Sequence, residues 1–428
     1  MGNGERQERK MTLEFWLWMV MVFGAGNPKI WTIIKETGTP EKAYYRLKED
    51  DRTEVFELNS RQKSAVKSVS MEHVEKVLEN CRSKDISVTF YGDGKYPSRL
   101  AGIYNPPAVL FYQGHIEILE EYLPITVVGT RKPSEYSVRA ANQICSDLAK
   151  AGIVIVSGFA VGLDSAAHRA ALLSGGRTVA VLGCGIDVSY PKNNADAKKY
   201  IIRKGLVLSE FLPGTEPYPR NFPVRNRIMS GISQGTLVVQ APEKSGSLIT
   251  AELALEQGRT VFCIPPADIF DNRYAGVVKY LRDGAVPVFS YLDIVNEYYH
   301  AYTHKLETSV LFESSGNSED SVFFGEKSDT DTGEERKVRR ETAPEKKENR
   351  KPKMEEKVTP ADNEKRDFSL LDGLELKIAV LLSQEHQMHI DAIVERLDAD
   401  ESEVASAVTM LAIEGYVTRF SGQLYGIL

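Results

Sequence analysis

Two loops of the chain place glycines, a hydroxyl group and a guanidinium directly after short apolar runs. The first loop follows residues 125–128 and reads Gly129-Thr130-Arg131, and the second follows residues 153–156 and spans 157–164. Glycine lets a backbone approach a ligand closely, a following helix offers unpaired N–H groups, and Arg131 adds a permanent planar charge. We therefore expect these loops to bind the phosphate of a nucleotide or of a nucleic-acid backbone.

A later segment interleaves aromatic and basic side chains. Phe222 lies between Arg220 and Arg225 in a stretch interrupted by prolines, which predicts a loop over 220–227. The exposed bases of a single-stranded nucleic acid stack on aromatic rings while nearby cations neutralise the phosphates. At this point the alternative, that Phe222 anchors the loop in the core, stays open.

A further anion site is predicted at Ser245-Gly246-Ser247, which opens a helix over 248–256 and follows Lys244. Tyr190 and Tyr218 are weaker candidates for base stacking. The residues expected to contact phosphate or DNA are small, hydroxyl-bearing, aromatic or basic: Gly129, Thr130, Arg131, Ser157, Gly158, Phe159, Ala160, Gly162, Phe222, Arg225, Asn226, Arg227, Lys244, Ser245, Gly246 and Ser247.

Asp164 and His168 lie four residues apart on one face of the helix predicted after the second loop. Such a pair suggests acid–base chemistry. However, Asp164 also suits a helix cap, His168 suits packing under the loop, and no activated nucleophile accompanies them, so we favour a structural role and expect no catalytic residue. Arg131 has a similar alternative as a structural ion pair, but its place after a buried strand favours phosphate binding.

Seven apolar runs, alternating with helix-length segments, must position these residues. The alternation predicts an α/β fold, a Rossmann-like doubly wound sheet that is mainly parallel. The carboxyl ends of parallel strands meet at one edge of such a sheet, so we expect the candidate loops to converge there. The runs cover residues 125–128, 153–156, 179–182, 206–208, 237–239, 261–264 and 286–288.

The composition is that of a globular protein with more than one domain. The 428 residues predict two or three domains, and the 42% hydrophobic and 26% charged residues are ordinary proportions. The four cysteines are widely spaced, with no Cys-x-x-Cys pair and no histidine cluster, which disfavours a metal site and a disulfide framework. We expect reduced, mostly buried thiols, no metal and a cytoplasmic location.

Charge is distributed unevenly along the chain, whose formal net charge is −7. Residues 125–289 contain 19 Lys and Arg against 13 Asp and Glu, a net charge of +6. Residues 368–428 contain 3 against 10, a net charge of −7. The middle of the chain should therefore attract a polyanion and the final segment should repel one.

Four regions follow from these patterns. Residues 1–85 predict a small helical domain similar to SAM or helix-hairpin-helix modules, and residues 86–300 the Rossmann-like domain with short strands in its leading segment. Residues 301–367 are polar and charged, which predicts a disordered linker. Residues 368–428 predict three helices and a hairpin, the order of a winged helix.

Three features of the outer regions bear on partners. Gly24-Ala25-Gly26 separates two predicted helices and hints at contact with a DNA backbone, although such a turn is also common in packing. The apolar run 15–23 is too short for a membrane span and lacks a signal-peptide cleavage pattern, so we expect no membrane association. The predicted third helix of the winged helix lies in the segment from Asp400 to Glu414, which carries four carboxylates and no cation. Binding of duplex DNA through this helix should therefore be poor, and we favour a regulatory or protein-binding role for the winged helix.

The loops contain neither the Gly-x-Gly-x-x-Gly pattern of dinucleotide sites nor a Walker A lysine motif, so we expect no cofactor. Their order and spacing over residues 90–290 resemble the DNA-processing protein A family, also called DprA or Smf. The matching motifs are Gly129-Thr130-Arg131, residues 157–164 with Ala167-His168, residues 181–187 with Tyr190-Pro191, Ser209-Glu210, residues 222–227, residues 245–251, and residues 258–261 with Ile264-Pro265.

The chain departs from the family pattern at four places. Thr130 stands where the family usually has Ser, and Tyr136-Ser137 where it has Tyr-Gly. Pro265-Pro266 replaces Pro-Gly, and residues 274–281 differ from the usual Ser-x-Gly-x-Asn-x-Leu-Ile. Threonine keeps the hydroxyl group, whereas the last two changes alter the far rim of the expected pocket.

The resemblance implies a non-enzymatic protein of bacterial natural transformation that binds and protects incoming single-stranded DNA. It further implies a homodimer formed through the α/β domain and the loading of RecA recombinase onto the DNA. Two rival hypotheses remain: a hydrolase or transferase that processes nucleotides with Asp164, His168 or Glu210, and a nucleotide-sensing scaffold in which the winged helix transmits the signal.

Overall fold

The computed structural model describes residues 3–49, 56–191 and 195–307, together with parts of the segment 373–427. The chain divides into two compact units, residues 1–314 and 315–428. The described parts of the second unit are residues 373–385, 387–397, 399–413, 416–419 and 424–427. From residue 308 onward, the predicted linker lies outside the described residues.

Residues 3–49 and 56–83 of the first unit form five helices, in agreement with the helical start that the sequence predicted. Thr39 caps the third of them by accepting a hydrogen bond from the Lys42 backbone, and proline follows at the first helical position. The apolar run 15–23 lies in the first helix, where Leu17 and Trp18 are fully buried. The helices are α1 (Asn3–Phe23), α2 (Lys29–Thr37), α3 (Pro40–Lys48), α4 (Ser60–Ser68) and α5 (Met71–Ser83). Among the helices of the described residues, none combines the length and the apolarity that crossing a membrane requires.

A nine-stranded sheet forms the centre of the first unit. Its strands are β1 (Ser87–Phe90), β2 (Val109–Gly114), β3 (Leu123–Val128), β4 (Ile153–Ser157), β5 (Thr178–Leu182), β6 (Leu206–Ser209), β7 (Gly235–Val238), β8 (Thr260–Cys263) and β9 (Val286–Pro287). Their order across the sheet is β1-β2-β6-β5-β4-β3-β7-β8-β9. The seven strands from β3 to β9 are parallel and coincide with the seven predicted runs, so the doubly wound sheet is confirmed.

The predicted leading segment is part of the same sheet. β1 pairs antiparallel with β2, and β2 pairs antiparallel with β6. Leu110 in β2 is fully buried and belongs to the same apolar cluster as Val179 of β5. The segment therefore extends the sheet by two strands, because its apolar residues find the same core as the parallel strands.

Helices cover both faces of the sheet. Val154 and Val156 of β4 belong to one buried cluster and Ile153 and Ile155 to another, which explains why the strand is apolar at every position. The helices are α6 (Ser98–Ala101), α7 (Ile118–Glu121), α8 (Glu135–Lys150), α9 (Leu163–Leu173), α10 (Ala195–Lys204), α11 (Asn221–Ile232), α12 (Gly246–Glu256), α13 (Ala275–Arg282) and α14 (Tyr291–Tyr302).

The structure differs from the sequence prediction at two places. The segment 220–227 is not a loop, because helix α11 begins at Asn221 and continues to Ile232. Pro223 lies in the first turn, where backbone N–H groups have no partner within the helix and a proline costs little. The first unit also continues beyond residue 300, since Leu306 is buried and the Glu307 backbone N–H donates to the Ala151 carbonyl.

The described part of the second unit contains three helices, as predicted for residues 368–428, and a small antiparallel sheet. Its elements are α15 (Gly373–Glu385), β10 (Gln387–His389), α16 (Ile390–Leu397), α17 (Glu401–Ile413), β11 (Val417–Arg419) and β12 (Leu424–Ile427). Fully buried Ile378, Leu382 and Val408 contribute to its core. The sequence did not indicate β10, which is short and polar, and the predicted hairpin turn at 421–422 lies outside the described residues. The winged-helix assignment stays a prediction.

Candidate nucleic-acid interface

A cavity of about 560 Å³ opens at the carboxyl edge of the sheet, between the loops that follow β3 and β7. β3 has β4 on one side and β7 on the other, so successive connections diverge from it in opposite directions. Such a switch point is where doubly wound sheets bind ligands. The candidate loops therefore converge as the sequence predicted.

Eleven of the candidate residues line this cavity, and five do not. Those lining it come from three loops and from helices α11 and α12: Gly129, Thr130, Arg131, Ala160, Phe222, Arg225, Asn226, Lys244, Ser245, Gly246 and Ser247. Those outside the lining are Ser157, Gly158, Phe159, Gly162 and Arg227. The structure thus divides the predicted contact residues into those that face the cavity and those that lie behind its lining.

Arg131 presents its guanidinium to the cavity from an exposed position. The alternative of a structural ion pair is not supported, because no carboxylate among the described residues lies within salt-bridge distance of it. Its guanidinium carbon lies 5.7 Å from the centre of the Phe222 ring. A cation held by an aromatic face keeps its hydrogen-bond donors available for phosphate.

Phe222 is half-buried at the start of α11 and combines the two roles considered for it. A Cβ on Gly183 would lie 2.9 Å from the ring, so one edge of Phe222 packs tightly on that glycine. Tyr190 lies beside it, with ring centres 5.7 Å apart. Phe222 also lines the cavity, with the Arg225 guanidinium carbon 5.9 Å from its ring centre, and offers a supported aromatic surface for a base.

Arg225 holds the floor of the cavity together. Its Nη1 donates to the carbonyls of Gly158, at 2.7 Å, and of Val181, and its Nε donates to Asn226. Burial lowers the pKa of its guanidinium to about 10, while nearby Asp164 opposes that effect. A Cβ on Gly158 would come within 2.6 Å of Arg225, so glycine is required there for close approach of the guanidinium.

Helix α12 directs its first turn at the cavity. Ser245 is its N-cap and accepts a hydrogen bond from the Ser247 backbone N–H. The side-chain amide of Asn226 donates to the Gly246 carbonyl at 3.3 Å, which ties α12 to α11. Lys244 is exposed on the rim. A helix N-terminus with an adjacent lysine is a favourable environment for an anion.

The loop after β4 supports the cavity from below. The Ser157 hydroxyl is buried and donates to the Val127 carbonyl of β3 at 2.7 Å. Phe159 is buried with a φ of 60°, and its ring lies 5.8 Å from that of His168. A Cβ on Gly162 would lie 2.6 Å from the Thr130 carbonyl, so the glycine lets this loop pack against the one carrying Arg131. These residues position the cavity lining; the structure does not place them in it.

Arg227 lies outside the cavity lining and forms a buried ion pair. Its Nη2 donates to both carboxylate oxygens of Glu210, each at 2.7 Å. Its side chain is only 9% exposed. We therefore do not include Arg227 among the phosphate contacts that we propose below.

Asp164 and His168 are both buried and hydrogen-bonded within the fold. The Asp164 carboxylate accepts from the Ala160 backbone N–H, and burial raises its pKa against the influence of Arg225. His168 Nδ1 lies 2.6 Å from the Thr178 hydroxyl, which donates onward to the Ile155 carbonyl, so the ring nitrogen serves as the donor. Burial lowers the pKa of His168 to about 3, which leaves the ring neutral. The ring is therefore buried and neutral, and His168 is not part of the cavity lining.

Sequence reasoning missed Met229 and Thr250, which also line the cavity. Phe222, Arg225, Asn226 and Met229 are spaced as one face of an α-helix, so recognition of α11 as a helix would have found Met229. The same spacing would have placed Arg227 on the opposite face. Thr250 lies one turn into α12, where no simple signal marks it.

Two departures from the family pattern meet in space. The hydroxyl of Ser137 lies 2.7 Å from that of Tyr274, and the Ser134 hydroxyl lies 2.6 Å from the same atom. Tyr136, next to them, donates to the Pro265 carbonyl. The expected far rim does not form, because residues 265–266 and 274–281 are not part of the cavity lining. The hydrogen bonds instead join the start of α8 to the segment after β8.

The chemistry of the cavity favours binding of an anion. Arg131, Arg225 and Lys244 line it against the single carboxylate of Asp164. Within the parts of the chain that the structure describes, no group of three or more His, Cys, Asp and Glu side chains is arranged to hold a metal ion. Cations, an aromatic ring and a helix N-terminus at one place suit a phosphodiester that carries a base.

Comparisons with known proteins agree with this geometry. The sequence profile of the family described as DNA recombination-mediator protein A matches residues 87–299. The DNA processing protein DprA of Bacillus subtilis is 41% identical over 222 residues, which is 52% of this chain and 74% of that protein. The protein of the same name from Streptococcus pneumoniae is 43% identical over 206 residues, 48% of this chain and 72% of that protein.

A solved structure shows the same fold. The X-ray structure of DNA processing protein A from Streptococcus pneumoniae superposes with a TM-score of 0.58 at 33% sequence identity. The likeness covers 65% of this chain and 95% of that one. The predicted α/β class and the resemblance to this family are both confirmed.

Proposed function

The chain belongs to the DNA recombination-mediator protein A family, and from that premise we propose that it binds single-stranded DNA at the cavity beside β3. The observation that carries the proposal is the contact between the exposed Arg131 guanidinium and the half-buried Phe222 ring, 5.7 Å apart. A phosphate on the guanidinium and a base on the ring are the two halves of one nucleotide.

A single strand fits this arrangement better than a duplex. Stacking on Phe222 needs the face of a base, and in a duplex that face is covered by neighbouring bases. The other proposed phosphate contacts, Lys244 and the Ser245-Gly246-Ser247 helix start, bind any backbone phosphate without regard to sequence. We therefore propose binding with little sequence preference.

We propose that the chain acts through binding alone, without a chemical step. His168 is buried and neutral, Asp164 holds the loop after β4, and Glu210 is paired with Arg227. These are the residues on which the hydrolase alternative depended. Hydrolysis of free nucleotides that is lost on changing Asp164 would support that alternative instead.

The finer parts of the proposal rest on family membership. We propose that the protein is cytoplasmic, forms a homodimer through its α/β unit, and loads RecA recombinase onto single strands taken up during natural transformation. Sedimentation of the purified chain tests the dimer. RecA-dependent strand exchange on DNA covered by single-strand-binding protein tests the loading, and no stimulation by the chain would contradict it.

The experiment that tests DNA binding is a salt titration of oligo-dT affinity with Arg131→Ala. Removal of one phosphate contact should weaken binding about tenfold and reduce the slope of log K against log salt by about 0.7. Arg169→Ala, which removes an exposed arginine of α9 outside the cavity lining, should change neither quantity. Equal affinity of the wild type and Arg131→Ala would refute the proposed site.

A further inference from the structure

Helix α11 has two faces with different neighbours. Phe222 and Arg225 line the cavity on one face. Val224 and Arg227 point the other way, toward the turn at residues 24–26 that joins α1 to α2. Any displacement of this helix by its neighbours on the second face therefore moves the side chains on the first.

The turn reaches α11 through a buried carboxylate. The Gly26 backbone N–H donates to Glu210 Oε1 at 2.9 Å, and the same carboxylate accepts both hydrogen bonds from Arg227. Glu210 is only 2% exposed. The Gly26 carbonyl accepts from the Asn105 side chain at 2.7 Å, so both polar backbone groups of Gly26 are engaged.

Gly26 also fits against α11 without room for a side chain. A Cβ at Gly26 would lie 2.3 Å from Cγ1 of Val224, whereas a Cβ at Gly24 would have no neighbour within 4 Å. Both glycines have positive φ, 69° and 87°. They therefore differ in contact with α11 and not in the backbone conformation that they require.

Other contacts attach the N-terminal helices to the sheet. Lys84, after α5, forms an ion pair with Asp187 at 2.6 Å. The indole of Trp31 donates to the Pro106 carbonyl, and Gln113 of β2 donates to the Lys84 carbonyl. Loss of the Gly26 contact would thus leave the helical domain attached, so the turn has a more local role.

We propose that Gly26, in the turn at 24–26, is a positioning residue of the DNA site. Through Glu210, Arg227 and Val224 it fixes α11, and thereby sets Phe222 and Arg225 against the loop that carries Arg131. The inference rests on the proposed function. Because linkage is reciprocal, a turn that favours DNA binding is itself held more firmly when DNA is bound.

This role differs from direct contact of the glycine turn with DNA. The Gly26 N–H, the natural donor to a phosphate, is occupied by the Glu210 carboxylate. That carboxylate would also repel a phosphate brought to the same place. The influence of the turn on DNA must therefore pass through α11.

The test compares Gly26→Ala with Gly24→Ala in the full chain, with oligo-dT as the probe. Both variants bear the cost of a positive φ, but only the first displaces Val224. We expect about tenfold weaker binding for Gly26→Ala and a change of less than twofold for Gly24→Ala. Equal effects of the two substitutions would overturn the proposal.

A rescue variant covers the case in which Gly26→Ala is poorly folded. Val224→Ala removes the methyl groups that the new Cβ meets, so Gly26→Ala/Val224→Ala should recover most of the affinity. A double-mutant cycle with Phe222→Leu adds a readout that a merely structural role would not move. If the turn acts through α11, the tenfold effect of Gly26→Ala should fall below twofold when the ring is absent; an undiminished effect contradicts the inference.

Arg131→Ala, measured alongside, separates the two possible failures. If it leaves oligo-dT binding unchanged, the proposed DNA site is wrong and the positioning role falls with it. If it weakens binding while Gly26→Ala does not, the site stands and the positioning role alone is wrong.

Discussion

Arg131 and Arg225 line the same cavity but differ in exposure and in the partners of their guanidinium groups. Arg131 is exposed and rests on an aromatic face, so its donors are available to a ligand. Arg225 is buried, and its donors are used by the carbonyls of Gly158 and Val181. Removal of Arg131 should therefore affect binding, whereas removal of Arg225 would leave buried carbonyls unpaired and affect stability.

His168 gives a prediction about pH at the same scale. Its folded pKa of about 3 lies below the ordinary value of 6.5, so the unfolded chain binds more protons between those pH values. The stability that neutral His168 contributes is present above pH 6.5 and is lost progressively as the pH falls toward 3, with a slope of at most about 1.4 kcal/mol per pH unit.

Urea unfolding of the wild type and of His168→Asn between pH 7 and pH 4 measures this contribution. The variant should lose less stability on acidification, because asparagine does not titrate. Asp164, whose pKa is raised by burial, acts in the opposite direction and is common to both proteins. Parallel pH profiles for the two proteins would contradict the assignment of a neutral histidine.

The sequence predicts some residues better than others for physical reasons. Arg131 follows an apolar strand directly, so its place at the sheet edge follows from topology alone. Arg225 and Arg227 are two residues apart and chemically alike, and only the helical rotation of α11 sends one toward the cavity and the other toward Glu210. Composition and spacing contain no sign of that partner.

At the scale of elements, the strands were predictable and α11 was not. The β-branched runs of β3, β4 and β5 stand out because both of their faces are buried. Helix α11 contains Pro223 and follows further prolines, which local rules interpret as a loop. Tertiary contacts override those rules here, since one face of the helix lines the cavity and the other packs against the turn at 24–26.

Helix α12 gives a second prediction. Ser245→Ala removes the N-cap and should cost about 1 kcal/mol of stability and, in addition, weaken oligo-dT binding several-fold, since the helix start faces the cavity. Thr39→Ala removes the equivalent cap of α3, away from the cavity, and should cost similar stability without loss of affinity. Thermal melts and fluorescence anisotropy measure the two quantities. A loss of affinity in both variants would indicate a general effect of destabilisation.

At the scale of the whole molecule, the two units differ in charge. The cavity lies entirely in the first unit, and its lining contains more cations than carboxylates. The second unit carries acidic residues around α17, including Asp400 and Glu403, and no lysine or arginine in that helix. Helix α17 therefore offers no cation to a polyanion and no electrostatic attraction.

A chain that ends at residue 314 should therefore bind oligo-dT with an affinity within about twofold of the full chain. The full chain should also show no additional salt-dependent binding to duplex DNA, because α17 offers no phosphate contact. Gel shifts of both proteins on single- and double-stranded probes measure this. Tight duplex binding that disappears on truncation would assign a DNA-binding role to the second unit.

The contact between Gly26 and Glu210 also constrains the order in which the protein folds during synthesis. The two residues are 184 positions apart, and Arg227 completes the contact later still. At ordinary translation rates of about 5–20 residues per second, roughly 10–40 s separate the synthesis of the turn from that of its partner helix. The N-terminal helices therefore leave the ribosome first. Their contact with Glu210 and α11 can form only after most of the sheet has been synthesised.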